Sequence, residues 1–371
     1  MRSYYFDYAA ATPISRQALK EYNLLSSTYF ANTSSMHDLG LEARDKLEEY
    51  RKRAAKLLNC FPEEIIFTSG GTESNFIAIA GTVQENQKVI ISSAEHKSVL
   101  EICKQKTKHV FQLEVDNSGI VKSSQLKNSI TKKTALVSIH YVNNETGVVQ
   151  DIIKLRKLSK AASTKVLFHT DACQASLLDL DVKLLGVDML TLNSNKCYGP
   201  KGVGLLFKSK DVTISPILVG GGQEFGLRSG THNLPAIGAF IVALEHVQKN
   251  KQKILKHLTE LRAYFLDQIK RRVPNNIVND AKENLPSIIN VGFKGVDAEQ
   301  LQKHLSNKGI ATSLGSACTA GKVELSHVLK AMHVDNKYGY IRISFGKDTT
   351  KKEIDFLIIA LTNVVDGLRN I

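Results

Sequence analysis

Short apolar runs alternate with helical patterns between about residues 40 and 250, and few folds accommodate such an order of elements. The runs are nearly continuous in apolar character, which is typical of parallel strands buried on both faces. They cover residues 65–67, 89–91, 135–139, 166–168, 189–192 and 203–207. Between the runs lie helical patterns such as residues 41–59, where Leu47, Tyr50, Ala54 and Leu57 recur at three-to-four spacing. The chain is therefore predicted to form an α/β fold, with a mostly parallel sheet between two layers of helices.

A second region follows a long helical stretch at residues 234–272. Strands are predicted at residues 288–293 and 340–345, and a helix at residues 298–305 is followed by Gly309. Thr350 and Glu353 form the pattern of a capping box at the start of the last helix. We expect a large domain over residues 14–253. Residues 1–13 and 254–371 are expected to form a smaller α+β domain.

Composition excludes several classes of protein. A chain of 371 residues with 43% hydrophobic residues can bury a large core. Its 49 basic and 36 acidic residues leave a net charge of +13, but the basic residues are scattered. They favour a solvated surface over direct nucleic-acid binding. Neither a signal peptide nor an apolar run long enough to span a membrane is found.

The cysteines argue against both a disulfide framework and a metal site. Five cysteines, an odd number, are widely spaced and do not form a C-x-x-C pair or a metal-ligand motif with histidines. We therefore expect no bound metal, and a reducing, cytoplasmic environment.

Polar residues follow five of the predicted strands. Because ligands of open α/β sheets bind at the carboxyl ends of the strands, these residues are candidate site residues. The sequence Thr-Ser-Gly-Gly-Thr at 68–72 leads from a strand into a helix and is suited to binding a phosphate. It lacks the pattern of an ATPase phosphate loop, and residues 315–322 have the wrong glycine spacing for one.

The other four strand ends carry groups capable of acid–base or covalent chemistry. His96 can stack on a planar ring or carry a proton, and Asn144 lies in a polar turn. A buried Asp171 needs a positive partner, such as the protonated nitrogen of a pyridine ring. Lys196 can lose its proton when desolvated and attack a carbonyl carbon. Each of these residues alone could be structural, whereas the set in one sheet points to a single site.

Motifs spread over nearly the whole chain resemble those of the cysteine desulfurases, which belong to the class-V aminotransferases of fold type I. They are YFDYAA at 5–10, TSGGTESN at 68–75, AEHKSV at 94–99, VNNETGVVQDI at 142–152, HTDACQ at 169–174, KCYGPKGVG at 196–204, RSGT at 228–231, GSACT at 315–319 and IRISFG at 341–346. The combined match is far more specific than any single glycine-rich loop. The resemblance implies that pyridoxal 5′-phosphate is the cofactor.

The resemblance also implies a role for each matching residue. Lys196 would bind the cofactor covalently and move protons, and Asp171 would pair with its ring nitrogen. His96 would stack on the ring and assist the proton transfers as a catalytic residue. The remaining cofactor-binding residues would be Gly71, Thr72, Asn144, Gln174, Asn193, Ser194, Asn195 and, reaching a neighbouring subunit, Thr231. Arg342 would bind the substrate carboxylate, with Asn144 beside it.

Cys318 is the residue expected to carry the sulfur. As a thiolate it would attack the sulfur of the substrate L-cysteine, so that alanine is released and a persulfide remains. The implied partners are a second copy of the chain in a homodimer and a sulfur-acceptor protein, either a scaffold or a sulfur carrier. An iron–sulfur cluster would contact Cys318 transiently. The other four cysteines, Cys60, Cys103, Cys173 and Cys197, are interpreted as structural.

Two features depart from the family pattern. The family usually has S-x-H-K before and including the lysine, whereas this chain has Asn193-Ser194-Asn195-Lys196. Asn195 has a shorter reach than histidine, which predicts weaker retention of the cofactor. The chain also ends at Ile371, without the longer tail that one branch of the family uses to bind its scaffold.

Two other functions remain open at this stage. A selenocysteine lyase, or another class-V lyase or aminotransferase, would share the cofactor residues, but an aminotransferase has no need of a thiol such as that of Cys318. A non-catalytic scaffold protein would be expected to lack the lysine, the aspartate or the cysteine, and all three are present.

Overall fold

The computed structural model describes residues 4–314 and 325–370. Its strands are β1 (Tyr4–Tyr5), β2 (Ile65–Thr68), β3 (Lys88–Ser92), β4 (Val110–Leu113), β5 (Thr134–Ser138), β6 (Leu167–Asp171), β7 (Met189–Asn193), β8 (Gly204–Lys208), β9 (Asn276–Asn279), β10 (Ile288–Lys294), β11 (Ile310–Ala311) and β12 (Tyr338–Ser344). The helices are α1 (Arg16–Thr28), α2 (Asp38–Leu58), α3 (Gly71–Ala80), α4 (Lys97–Lys106), α5 (Ser123–Ser129), α6 (Ile152–Ala162), α7 (Val182–Leu185), α8 (Leu234–Lys249), α9 (Lys251–Arg272), α10 (Ala298–Asn307), α11 (His327–Ala331) and α12 (Lys351–Arg369).

The central sheet has seven strands in the order β2-β8-β7-β6-β5-β3-β4. The pairs from β7 to β4 are parallel, and β8 runs antiparallel to both of its neighbours. The α/β fold with a mostly parallel sheet is therefore confirmed. Because only β8 is reversed, the carboxyl ends of β2, β3, β5, β6 and β7 lie at one edge of the sheet.

The sheet is buried on both faces, as the continuous apolar runs predict. Alternate residues of one strand belong to different hydrophobic clusters: Ile65 and Phe67 pack on the side of α2 and α8, whereas Ile66 packs on the side of α3 and α4. The helices thus form a layer on each face of the sheet.

The structure corrects three details of the sequence prediction. The run at residues 203–207 forms the antiparallel strand β8, not a parallel one. The strand predicted at 166–168 extends to Asp171, so that this carboxylate is the last residue of β6. Strand β4 was missed because it lies at the edge of the sheet, where only Leu113 of its four residues is buried.

The second region contains a three-stranded antiparallel sheet in the order β12-β10-β9. Its hydrophobic cluster is formed with α9, α10 and α12, and Phe6 of the N-terminal segment packs into it. Strand β1 pairs with β11, which joins this segment to the second region. The capping box of Thr350 and Glu353 is confirmed. The exact domain boundaries stay a prediction.

Among the described residues, none of the helices has the length and hydropathy needed to cross a lipid bilayer.

Candidate active site

Asp171 lies at the centre of the sheet edge where the polar strand ends meet. It is buried, and its Oδ1 accepts a hydrogen bond from the backbone N–H of Cys173 at 3.0 Å. Its Oδ2 accepts from Nδ2 of Asn75 at 2.8 Å. Burial alone would raise the pKa of Asp171, but these hydrogen bonds outweigh it and lower the pKa below its usual value. The carboxylate is therefore ionised and oriented.

The N-terminus of α3 lies directly beside this carboxylate. A Cβ atom on Gly71 would be 2.6 Å from Sγ of Cys173 and 3.5 Å from the side-chain amide of Asn193. Glycine at this position thus permits the first turn of α3 to approach the ends of β6 and β7. Thr72 is exposed on that turn. The first-turn N–H groups have no partners within the helix and, with the helix dipole, favour an anion.

Lys196 follows β7 in a short turn and points toward the N-terminal segment. Its Nζ donates hydrogen bonds to the carbonyl oxygens of Ala9 at 2.8 Å and Ala10 at 2.6 Å. The pKa of Lys196 is lowered, chiefly by burial. A cavity of about 40 Å³ lies beside the lysine and is also lined by Gln174 and Tyr8. A lysine with a lowered pKa beside a cavity is suited to act as a nucleophile.

Arg342 connects the second region to this site. The residue is buried in β12, and its Nη1 donates to the carbonyl oxygen of Asn144 at 2.9 Å. Its Nη2 forms an ion pair with Oδ1 of Asp7 at 2.7 Å. The Nε atom is buried and has no hydrogen-bond partner among the described residues. The guanidinium group is thus held in place through Nη1 and Nη2, while the N–H group of Nε is left without a partner in the described part of the chain.

His96 directly precedes helix α4 and caps its N-terminus. Its Nδ1 accepts the backbone N–H of Ser98 at 3.1 Å and lies 2.8 Å from Oγ of the same residue. The pKa of His96 is lowered, chiefly because the surrounding protein limits hydration of the ring, although the residue as a whole is exposed. The imidazole is therefore neutral at physiological pH.

The three residues that precede Lys196 do not all face the predicted phosphate site. Asn193 lies beside Gly71, at the predicted phosphate site. In contrast, Oγ of Ser194 is buried against Gly199. Within the described part of the chain, Ser194 Oγ and the buried Oδ1 of Asn195 both lack a hydrogen-bond partner. Such unsatisfied atoms are uncommon in folded proteins unless a ligand is to be bound.

Two predicted residues are not placed at the site by the described contacts. Thr231 is exposed. The segment that contains it is attached to helix α3 by an ion pair between Arg228 and Glu73. Cys318 lies outside the described residues. Gln174 is near the lysine, and its Nε2 donates to the carbonyl oxygen of Ala9 at 2.8 Å.

Sequence reasoning missed three residues of the site. Asp7 pairs with Arg342, and Asn75 donates to Asp171; both lie within the quoted motifs, but no role was assigned to either. Cys173 was interpreted as structural, yet its sulfur lies against the N-terminus of α3. Burial raises the pKa of Cys173 well above the usual value, so its thiol is protonated. The contacts of Asn75 and Cys173 depend on the packing of β6 against α3, and the pairing of Asp7 depends on the N-terminal segment lying beside β12.

The residues fit pyridoxal 5′-phosphate as a ligand. A nucleophilic lysine, an ionised carboxylate and a helix N-terminus match its aldehyde, its ring nitrogen and its phosphate. In the described residues, histidine, cysteine, aspartate and glutamate form no group that could hold a metal ion.

Comparisons with known proteins agree with this geometry. Residues 4–357 match the family described as aminotransferase class-V. A Dictyoglomus turgidum protein named cysteine desulfurase IscS is 38% identical, over 100% of this chain and 96% of that protein. An Archaeoglobus fulgidus protein named cysteine desulfurase IscS 1 is 36% identical, over 99% of this chain and 98% of that protein.

Solved structures show the same likeness. A NifS-like protein superimposes with a TM-score of 0.92 at 32% identity, covering 99% of this chain and 100% of that one. A structure titled SspA in complex with cysteine gives a TM-score of 0.81 at 33% identity, covering 94% of this chain and 100% of the other. This chain therefore belongs to the aminotransferase class-V family.

Proposed function

We propose that the protein is a pyridoxal-phosphate-dependent cysteine desulfurase, which converts L-cysteine to L-alanine and transfers the sulfur to Cys318. The observation that carries this proposal is the convergence of Lys196, Asp171 and the N-terminus of α3 at one edge of the sheet. Full-length relatives named cysteine desulfurase support it.

The cofactor, when bound, supplies an electron sink that permits the Cβ–S bond of the substrate to be cleaved. Lys196 would bind it covalently, and Asp171 would hold a proton on its ring nitrogen. His96 would lie against the ring. The phosphate would be bound by Gly71, Thr72, Asn193, Ser194 and Asn195, with Thr231 contributed by the partner subunit, while Gln174 and Asn144 would lie near the ring oxygen.

Arg342 is the proposed site for the substrate carboxylate. A guanidinium group binds a carboxylate through two parallel hydrogen bonds, and the unpartnered Nε provides one donor. Asp7 pairs with the same group through Nη2. Asn144 fixes the guanidinium group through a backbone carbonyl. The substrate would then lie between the two regions of the chain.

Sulfur transfer would proceed by attack of the Cys318 thiolate on the sulfur of the bound substrate. An S–S bond forms, the Cβ–S bond breaks, and its electron pair stays with Cβ, which is then protonated to give alanine. The balanced reaction converts L-cysteine and the Cys318 thiol into L-alanine and the Cys318 persulfide. The acceptor would be a scaffold or sulfur-carrier protein, with an iron–sulfur cluster contacting Cys318 transiently. A free thiol of this kind favours the cytoplasm.

The direct test is to incubate the purified, cofactor-loaded protein with L-cysteine and a dithiol reductant. We expect alanine and sulfide in equal amounts, because the reductant releases the persulfide sulfur as sulfide. L-selenocysteine is included as a second substrate, since a selenocysteine lyase would consume L-selenocysteine but not L-cysteine. Pyruvate and ammonia in place of alanine would contradict the proposal.

Asn195→His is expected to increase cofactor affinity. A histidine reaches farther than the Asn195 amide and can donate to a phosphate oxygen through a ring nitrogen. One charge-assisted hydrogen bond corresponds to roughly 1.5–3 kcal/mol, or about a 10- to 150-fold decrease in Kd. Equilibrium dialysis against pyridoxal 5′-phosphate measures the Kd of the cofactor. Asn193→Ser, the other change toward the family pattern, is measured alongside. Equal Kd values for Asn195→His and wild type would contradict the prediction.

We propose that the protein is a homodimer. Phe30, Met36, Val219 and Phe225 are exposed apolar side chains with more than half of their surface accessible. Their two segments adjoin, since Nε2 of Gln223 and Oγ of Ser34 are 3.4 Å apart. An exposed apolar surface of this kind favours association.

The expected mass by sedimentation is twice that of the 41.0 kDa chain. Val219→Glu should weaken the dimer because it would bury a charge, whereas Ile359→Glu, at an exposed apolar position on α12, should not. A monomeric wild type at micromolar concentration would contradict the prediction.

A further inference from the structure

A continuous line of side chains connects Asp171 to His96 through Asn75 and Ser98. Nδ2 of Asn75 is 2.8 Å from Oδ2 of Asp171 and 2.9 Å from Oγ of Ser98. Oγ of Ser98 is in turn 2.8 Å from Nδ1 of His96. The residues lie in β6, α3 and α4 and at the N-cap of α4, so the line runs across the site from the centre of the sheet to the start of α4.

The ionised carboxylate fixes the direction of every hydrogen bond in this line. A carboxylate only accepts, so the amide of Asn75 must turn its NH₂ group toward Asp171. The second hydrogen of the same NH₂ group is then donated to Ser98 Oγ. Because Ser98 Oγ accepts from Asn75, its own hydrogen is free to be donated to His96.

Nδ1 of His96 therefore receives two donors. One is the hydroxyl of Ser98, and the other is the backbone N–H of Ser98, which the helix geometry directs at the ring at 3.1 Å. A hydrogen on Nδ1 would face both donors and is disfavoured. The proton of the neutral ring must then be on Nε2.

The surrounding charges do not protonate the neutral ring of His96. His96 lies at the N-terminus of α4, where the helix dipole disfavours a positive charge. Lys196 and His327 also disfavour a positive ring, whereas Asp171 and Glu95 favour it. The net effect, led by limited hydration, lowers the pKa of His96.

We propose that Asn75 and Ser98 are positioning residues that hold His96 in the neutral form with its hydrogen on Nε2. The catalytic meaning of this form rests on the function proposed above, but the form itself is a property of the protein and can be measured without substrate. In this form His96 offers a hydrogen-bond donor through Nε2 and has no lone pair there to accept a proton. Its only lone pair, on Nδ1, is already used by Ser98.

The consequence for the reaction is a division of roles. Proton abstraction would fall to Lys196, whose lowered pKa makes it a base. His96 would act as a neutral donor, a role in which a helix N-terminus also assists by lowering the pKa of an imidazole.

The test is to titrate His96 by NMR in protein labelled with ¹⁵N at its histidine rings, both as the cofactor-loaded enzyme and without cofactor. The His96 signals are assigned by their loss in His96→Asn. We expect the shift pattern of a ring protonated at Nε2 in the neutral range. Ser98→Ala should raise the pKa of His96 by roughly 0.5–1 unit, because one of the two donors that oppose protonation of Nδ1 is removed.

Two further variants separate this effect from a general disturbance. Ser98→Thr keeps the hydroxyl and should restore the wild-type pKa. Ser93→Ala removes a nearby hydroxyl that has no hydrogen-bond partner among the described residues and should leave the pKa unchanged. A neutral ring protonated at Nδ1, or a pKa that falls or stays unchanged in Ser98→Ala, would overturn the inference. Those results would leave the release of alanine and sulfide unaffected, so the two proposals fail separately.

Discussion

Replacing Cys318 with alanine is expected to abolish the release of sulfide from L-cysteine while the protein keeps its bound cofactor. The thiolate is the only nucleophile that the proposed reaction assigns to the substrate sulfur, so its removal should lower the rate by at least about a thousandfold. The residues that would hold the cofactor, Lys196 and Asp171, are unchanged in this variant. The measurements are sulfide and alanine produced per hour, and the visible absorption band of the loaded protein.

Cys60→Ala provides the matched control. Cys60 is a half-buried thiol outside the site, and its pKa is raised to about 12, chiefly by burial, so it is not a thiolate at neutral pH. This variant should keep the wild-type rate. If Cys318→Ala released sulfide at the wild-type rate, Cys318 would not be the sulfur acceptor, and a direct lyase reaction would be the better description.

Lys196→Ala is expected to eliminate both the covalent attachment of the cofactor and catalysis. Nζ of Lys196 is the only amine that the described contacts place at the small cavity beside Gln174. Its lowered pKa supplies the base that the reaction requires. Losing both functions should lower kcat by about a thousandfold or more. Absorption spectra before and after addition of pyridoxal 5′-phosphate, with turnover of L-cysteine, measure the two effects.

Lys201→Ala is the control for this variant, since Lys201 lies in the same loop but is exposed. It should retain the spectrum and the rate. A Lys196→Ala protein that still shows the spectrum of a covalently attached cofactor would place the attachment on another lysine.

The sequence predicts the order of elements and the sheet edge well, because both depend on local patterns. Continuous apolar runs mark strands buried on both faces, and the glycines at 70 and 71 mark the turn into α3. Strand β4 was missed because an edge strand with exposed residues lacks that pattern. The reversal of β8 was also missed, since an antiparallel strand buried on both faces has the same composition as a parallel one.

The contacts within the site were less predictable, because they depend on distant segments. Asp7 and Arg342 are separated by 335 positions, and their pairing follows from the backbone bridge between Asp7 and Ser344. The role of Asn75 depends on the packing of α3 against β6, which no local pattern shows. The motif comparison nevertheless selected Lys196, Asp171 and Gly71, which the structure brings to the same edge of the sheet.

The N-terminal segment has a practical consequence for anyone who modifies this enzyme. Asp7 holds the arginine proposed for substrate, while the carbonyl groups of Ala9 and Ala10 hold the lysine proposed for the cofactor. A deletion or fusion that shifts these few residues would weaken both the binding of the coloured cofactor and the affinity for substrate. Affinity handles and immobilisation linkers are therefore better attached beyond α12 than ahead of β1.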